Sequence, residues 1–151
     1  MRIALDTNIL IYLEGLSKLP SDDPKIDLAR DLIGKLMGAA TLVVPTQVLG
    51  EYYSVANRLG QPRETCRTSI KLMQEQFEIV GTTEGTFAQA LDLAVDHRLQ
   101  FWDALIVNAA ADAGCTMLLS EDMQSGFEWR GVLVVNPFAD QPDRKLARLF
   151  A

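Results

Sequence analysis

Ile3-Ala4-Leu5-Asp6-Thr7-Asn8-Ile9-Leu10-Ile11-Tyr12-Leu13 sets two patterns back to back. Ile3 to Leu5 is a short apolar run without polar alternation, the pattern of a strand covered on both faces, and Ile9 to Leu13 is a longer apolar run behind a polar triplet. Between them, Asp6-Thr7-Asn8 is helix-start chemistry, because short oxygen-bearing side chains satisfy the free amides of a first turn. A buried strand passing straight into a helix is the first half of a βα unit, and the rest of the chain is consistent with it.

Outward from that stretch, short apolar runs recur at Leu42 to Val44, Phe77 to Val80, Met117 to Leu119 and Val132 to Val135. Segments of helical period lie near residues 7–16, 25–37, 46–59, 63–75, 84–98 and 102–113. This alternation predicts an α/β domain, with a mainly parallel five-stranded sheet, occupying residues 1–151 as one unit. Pro45 and Pro62 stand at helix starts, Gly60 and Gly114 at helix ends, and Pro20 and Pro24 bracket an acidic turn. No internal repeat or interdomain linker is evident. Asn136 to Ala151 reads either as a short helix docking through Leu146, Leu149 and Phe150 or as a loosely held tail.

The 14 Lys plus Arg against 20 Asp plus Glu leave a net charge of −6, and the pI is near 4.7. That balance excludes holding nucleic acid by bulk positive charge, so any phosphate partner must be gripped locally. Cys66 and Cys115 have no CxxC partner and no neighbouring histidines for a zinc site, and read as reduced core thiols. No apolar run approaches a membrane span and the amino terminus has no signal-peptide layout, so the expectation is a cytoplasmic protein. His97 is the only histidine, which excludes cleavage by a two-histidine acid–base pair within one chain. Its setting in Val95-Asp96-His97-Arg98 is that of a surface helix.

Ligands in open α/β sheets gather beyond the carboxyl ends of the strands. Asp6 follows the first strand and Asp122 the fourth; taken singly, one is a helix cap and the other a turn residue. Glu51 has Val48 and Val55 as its i−3 and i+4 neighbours, so its carboxylate lies on or beside a buried stripe, where an unpaired charge is costly. Asp103 opens the apolar helix Trp102 to Ala110, where pairing with the helix dipole is the simpler explanation. Jointly, the four converge on one edge of the sheet. Two carboxylates about 5 Å apart repel by about 3 kcal/mol at an effective dielectric near 20, so a cluster of four must bind cations or hold protons. Oxygen ligands without histidine or cysteine select a hard ion, Mg²⁺ or Mn²⁺.

Leu5-Asp6-Thr7-Asn8-Ile9-Leu10, Pro45-Thr46 through Glu51, Trp102-Asp103-Ala104-Leu105-Ile106 and Leu119-Ser120-Glu121-Asp122-Met123-Gln124-Ser125-Gly126, in that order and spacing, resemble the PIN domain of metal-dependent ribonucleases. Within that family they resemble the VapC-type toxins of bacterial toxin-antitoxin pairs. The resemblance implies a three-layer α/β/α sandwich, with Asp6, Glu51, Asp103 and Asp122 as an acidic quartet and Thr7, Asn8 and Ser120 as small polar residues beside it. It further implies RNA cleavage with Mg²⁺ or Mn²⁺, a homodimer, and an antitoxin whose tail occupies the acidic groove. Asp6 and Asp103 are the expected central ligands, and Glu51 and Asp122 are expected to complete the site or orient water. Glu121 stands beside Asp122 as a competing acid.

Since the site contains no side chain that needs to act as a nucleophile, direct hydrolysis leaving a 5′-phosphate is expected. Arg63, Arg67 and Lys71 recur every four residues and form a basic stripe suited to backbone phosphates, or simply a solvated helix face. Trp102, Phe101 and Tyr52 read as core rather than as base-stacking groups. An RNA-processing nuclease without an antitoxin, or a silent interaction module of the same fold, would share the quartet's framework. A haloacid-dehalogenase-type phosphatase is disfavoured because it needs an acid where Asn8 stands, and a response-regulator receiver because no acidic pair closes the first strand.

Overall fold

The computed structural model describes residues 1–151. The strands are β1 (Arg2–Leu5), β2 (Thr41–Pro45), β3 (Glu78–Val80), β4 (Met117–Leu119), β5 (Glu128–Trp129) and β6 (Val132–Val135). The helices are α1 (Thr7–Leu13), α2 (Pro24–Met37), α3 (Thr46–Arg58), α4 (Arg63–Gln76), α5 (Glu84–His97), α6 (Phe101–Asp112) and α7 (Arg144–Arg148), with a 3-10 turn at Pro20–Asp22. The strand order is β3-β2-β1-β4-β6-β5, all parallel except β5 against β6. Helices α1 to α4 pack among themselves, α5 pairs with α6, and the sheet lies within this α/β sandwich.

The expected sheet had five strands and the observed one has six. The addition, β5, is two residues long and returns to β6 through Arg130 and Gly131, both at positive φ (47° and 82°). Positive φ at both central residues is the turn that a tight hairpin requires. A two-residue strand has no periodicity to read. Helix α1 ends at Leu13 rather than residue 16 because Gly15 takes the left-handed conformation (φ 81°) beside the Arg30 guanidinium. The C-terminal segment does form a short helix: Asp143 caps α7 and Leu146 is buried, while Phe150 stays exposed.

The strands carry the core. Ile3, Ala4, Leu5, Val43, Val44, Leu118 and Leu119 are fully enclosed, which explains why those runs lack alternation. Cys66 and Cys115 are free and buried. Tyr52 is core as expected, but Phe101 is only half-buried and Trp102 is 47% exposed. The buried run of α6 begins at Ala104, so Trp102 projects from its first turn with its ring edge-on to Phe101. No helix is long and apolar enough to cross a membrane.

The sheet topology also places the site. The chain runs outward from β1 through β2 to β3, then returns to the other side of β1 as β4, making the carboxyl ends of β1 and β4 a topological switch point.

Candidate active site

Asp6 leaves β1 at that switch point, its amide donating to the Leu119 carbonyl at 3.0 Å, which continues the β1–β4 ladder by one bond. Its carboxylate accepts from the Thr7 amide at 2.7 Å and from Ser120 Oγ at 2.7 Å. Ser120 Oγ in turn accepts from the Met123 amide at 3.1 Å, which fixes the loop after β4. Asp6 therefore caps α1, and its carboxylate also feels the charges of Asp103 and Glu51.

Thr7 and Asn8 reach in different directions from the first turn of α1. Thr7 Oγ1 donates to Glu51 Oε2 at 2.7 Å, and Asn8 Nδ2 donates to Asp122 Oδ2 at 2.8 Å. Glu51 Oε1 is held from its own helix by Gln47 Nε2 at 3.1 Å. Asp103 sits one turn into α6, its amide capped by Gln100. The side chain that caps α6 is thus Gln100, and the Asp103 carboxylate is left without a hydrogen-bond donor from the protein.

Electrostatics join the four acids. Burial pushes the Asp6 carboxyl up to about 6, against the opposing pull of the Ser120 and Thr7 hydrogen bonds, and the charges of Asp103 and Glu51 add to the rise. Burial also raises Asp103, followed by the charges of Glu51 and Asp122. None of the six ion pairs of the fold supplies a cation to any of the four. The donors are all oxygens and uncompensated, which fits Mg²⁺ or Mn²⁺. The fit is open rather than closed, since no three of the acids stand close enough together to enclose an ion as a ready-made cage. Mg²⁺ is commonly held in this way, by one or two carboxylates with water and substrate phosphate completing the shell.

Glu121 is occupied elsewhere. It accepts from Tyr12 OH at 2.7 Å and pairs with Lys25, which also reaches Asp22 at 2.8 Å and lies 5.8 Å from the Tyr12 ring centre. The adjacent acids therefore point to different partners, Glu121 toward α2 and Asp122 toward Asn8.

Arg63, Arg67 and Lys71 line one open cavity of about 430 Å³ with Tyr53 and Gln74, and none of the four acids lines it. A second cavity, about 210 Å³, adjoins Asp103 and Asp122 and is completed by His97, Arg98, Gln124 and Phe127. His97 is exposed at the end of α5, as its charged setting implied, yet it borders the acids. Sequence reasoning missed Gln47, whose signal was its place one helical turn before Glu51. It also missed the Tyr12–Glu121–Lys25 cluster and the second cavity, for which no local pattern exists.

Among solved structures the fold has close counterparts of low sequence identity. Mycobacterium tuberculosis VapC20, described as a sarcin-ricin loop cleaving toxin, is 18% identical at a TM-score of 0.65, over 80% of this chain and 89% of that one. A toxin-antitoxin complex from Klebsiella pneumoniae aligns at 18% and 0.66, over 90% and 98%. Rickettsia felis VapBC2, solved bound to a DNA fragment from its promoter, aligns at 16% and 0.62, over 81% and 89%. No curated protein matches the sequence. The family model described as PIN domain matches residues 3–126, a span that contains all four acids together with Thr7, Asn8 and Ser120, and the chain belongs to the PIN domain family.

Proposed function

We propose that this protein is a metal-dependent endoribonuclease and the toxin of a type II toxin-antitoxin pair. The observation that carries the reading is the quartet Asp6, Glu51, Asp103 and Asp122 at the β1–β4 switch point, without a cationic partner. Bound there, Mg²⁺ or Mn²⁺ would neutralise phosphodiester charge and make water a competent nucleophile near neutral pH. Asp103, with no donor of its own, and Asp6 are the central ligands. Glu51 and Asp122 complete the site or orient water, each fixed through one oxygen by Thr7 or Asn8. Ser120 keeps Asp6 ionised at working pH by donating to its charged form.

The toxin assignment is supported by the names of the structural neighbours, several of which are VapB–VapC or toxin-antitoxin complexes. An antitoxin would bind across the acidic groove. A homodimer is supported by an exposed apolar stripe on α5, with Phe87 and Leu91 nearly half exposed and Val95 77% exposed at four-residue spacing, and Trp102 also exposed. Charge on that stripe, as in Leu91→Glu, is expected to leave a monomer in light scattering.

The deciding experiment is cleavage of single-stranded RNA by purified protein with Mn²⁺, with EDTA, and as Asp6→Asn and Asp103→Asn. Cleavage confined to the wild type with metal is expected, leaving 5′-phosphate ends. Undiminished cleavage by either variant would refute the assignment, and no cleavage by a folded wild type would favour a silent module.

A further inference from the structure

We propose that the 210 Å³ cavity between the end of α5 and the 122–127 loop is a nucleotide subsite, in which Arg98 takes the phosphate next to the scissile one and His97, Gln124 and Phe127 receive its base. The inference rests on the nuclease reading and adds which part of an RNA strand is selected. The cavity opens against Asp103 and Asp122, so whatever fills it lies beside the reacting phosphate. It is below the about 300 Å³ of a drug-sized pocket, which suits one ring system.

Arg98 is the decisive residue. The ion pairs of the fold use Arg2, Lys25, Lys35, Arg130 and Lys145, and Arg98 enters none of them although two carboxylates line the same cavity. It is also left-handed, at φ 55° and ψ 32°, where a helix end ordinarily carries glycine. A free guanidinium so placed offers a planar fork to a phosphate. His97 is held edge-on by Phe127 (ring centres 6.0 Å apart) and Trp129 (5.3 Å), which fixes its plane while the ring stays exposed. Unstacked RNA bases are recognised by such rings together with an amide that reads their edges, the part Gln124 is placed to play.

The test uses the full chain and a random-sequence single-stranded RNA pool, with Mn²⁺ and with cut sites read by sequencing. Arg98→Gly is the main variant, because glycine suits the left-handed position and its melting temperature should not fall below that of the wild type. It is expected to raise KM about tenfold with kcat within about twofold, and to reduce the slope of log KM against log salt by about 0.7, one single-strand phosphate contact. Arg98→Lys should restore most of that slope. His97→Ala and Gln124→Ala should each change the base frequency at one position adjoining the cut about fivefold or more, an effect that loss of stability alone does not produce. If the wild type cleaves and these variants keep its KM, salt slope and base frequencies, the subsite is overturned and the nuclease reading stands. If the folded wild type does not cleave, the nuclease reading fails and takes the subsite with it.

Discussion

Ser120 Oγ donates to Asp6 Oδ2 at 2.7 Å across the junction of β1 and β4, joining the residues that follow two adjacent strands 114 positions apart in the chain. The bond favours ionised Asp6 in a place where burial favours the neutral acid. Ser120→Ala should therefore let the Asp6 pKa climb above about 6, and protons should then compete with Mn²⁺ at higher pH. A hydrogen bond to a charged group is worth about 1.5–3 kcal/mol, so the acid limb of Mn²⁺ affinity should move up by about one pH unit or more. Calorimetric titrations between pH 5 and 8 check this, and an unmoved limb would show that another group governs it.

Asp6→Asn should stabilise the metal-free protein while removing activity. The folded-state pKa is raised, to about 6 from a reference of 3.8, so the contribution of this carboxyl to stability is fully present below pH 3.8 and is lost as pH rises through 6. A displacement of that size corresponds to roughly 3 kcal/mol, an upper figure for what asparagine recovers at pH 7.5. The variant's advantage in urea unfolding should shrink toward pH 4, and added Mn²⁺ should stabilise the wild type far more than the variant.

The apolar runs and the helix punctuation made the βα order legible because each is a local pattern. The strands that were easy to read, such as Ile3 to Leu5 and Met117 to Leu119, are the ones buried on both faces. Strand β5 was not, because two residues carry no period, and Trp102 is exposed where core is expected because an aromatic at a helix start does not reveal which way its first turn faces. Thr7, Asn8 and Ser120 could be placed beside the acids, yet their pairing with Glu51, Asp122 and Asp6 depends on contacts 44 and 114 residues apart. The cavity at Arg98 was invisible for the same reason: α5, α6 and the loop after β4 must be assembled before it exists.

Neighbouring acids with different partners should separate by experiment. Glu121→Gln removes one of the two acidic partners of Lys25, leaving Asp22, and weakens that of Tyr12, at a cost of about 1 kcal/mol for a partly exposed pair, and should leave Mn²⁺ affinity within about twofold. Asp122→Asn should leave stability nearly unchanged and weaken Mn²⁺ binding about tenfold. Chemical denaturation and metal titration of the two variants distinguish them, and the reverse outcome would make Glu121 the ligand.

The basic stripe of α4 is either a solvated helix face or a backbone-phosphate grip. Arg63, Arg67 and Lys71 share a cavity with Tyr53, but Tyr53 stands two residues beyond Glu51 on α3 and so projects about 200° around the helix from it. The stripe and the acids consequently lie on different sides of α3. If the stripe holds RNA, it holds a segment remote from the cut. Replacing all three cations with alanine should then leave cleavage of a very short oligonucleotide unchanged, weaken binding of a long one, and lower the log–log salt slope for the long strand by about 2, at 0.7 per single-strand contact. Binding measured by fluorescence anisotropy across a salt series, on the Asp6→Asn background so that the RNA survives, reads that slope directly. An identical slope for the long strand with and without the three cations would return them to the solvated face, and equal losses on short and long strands would place them at the cleavage site.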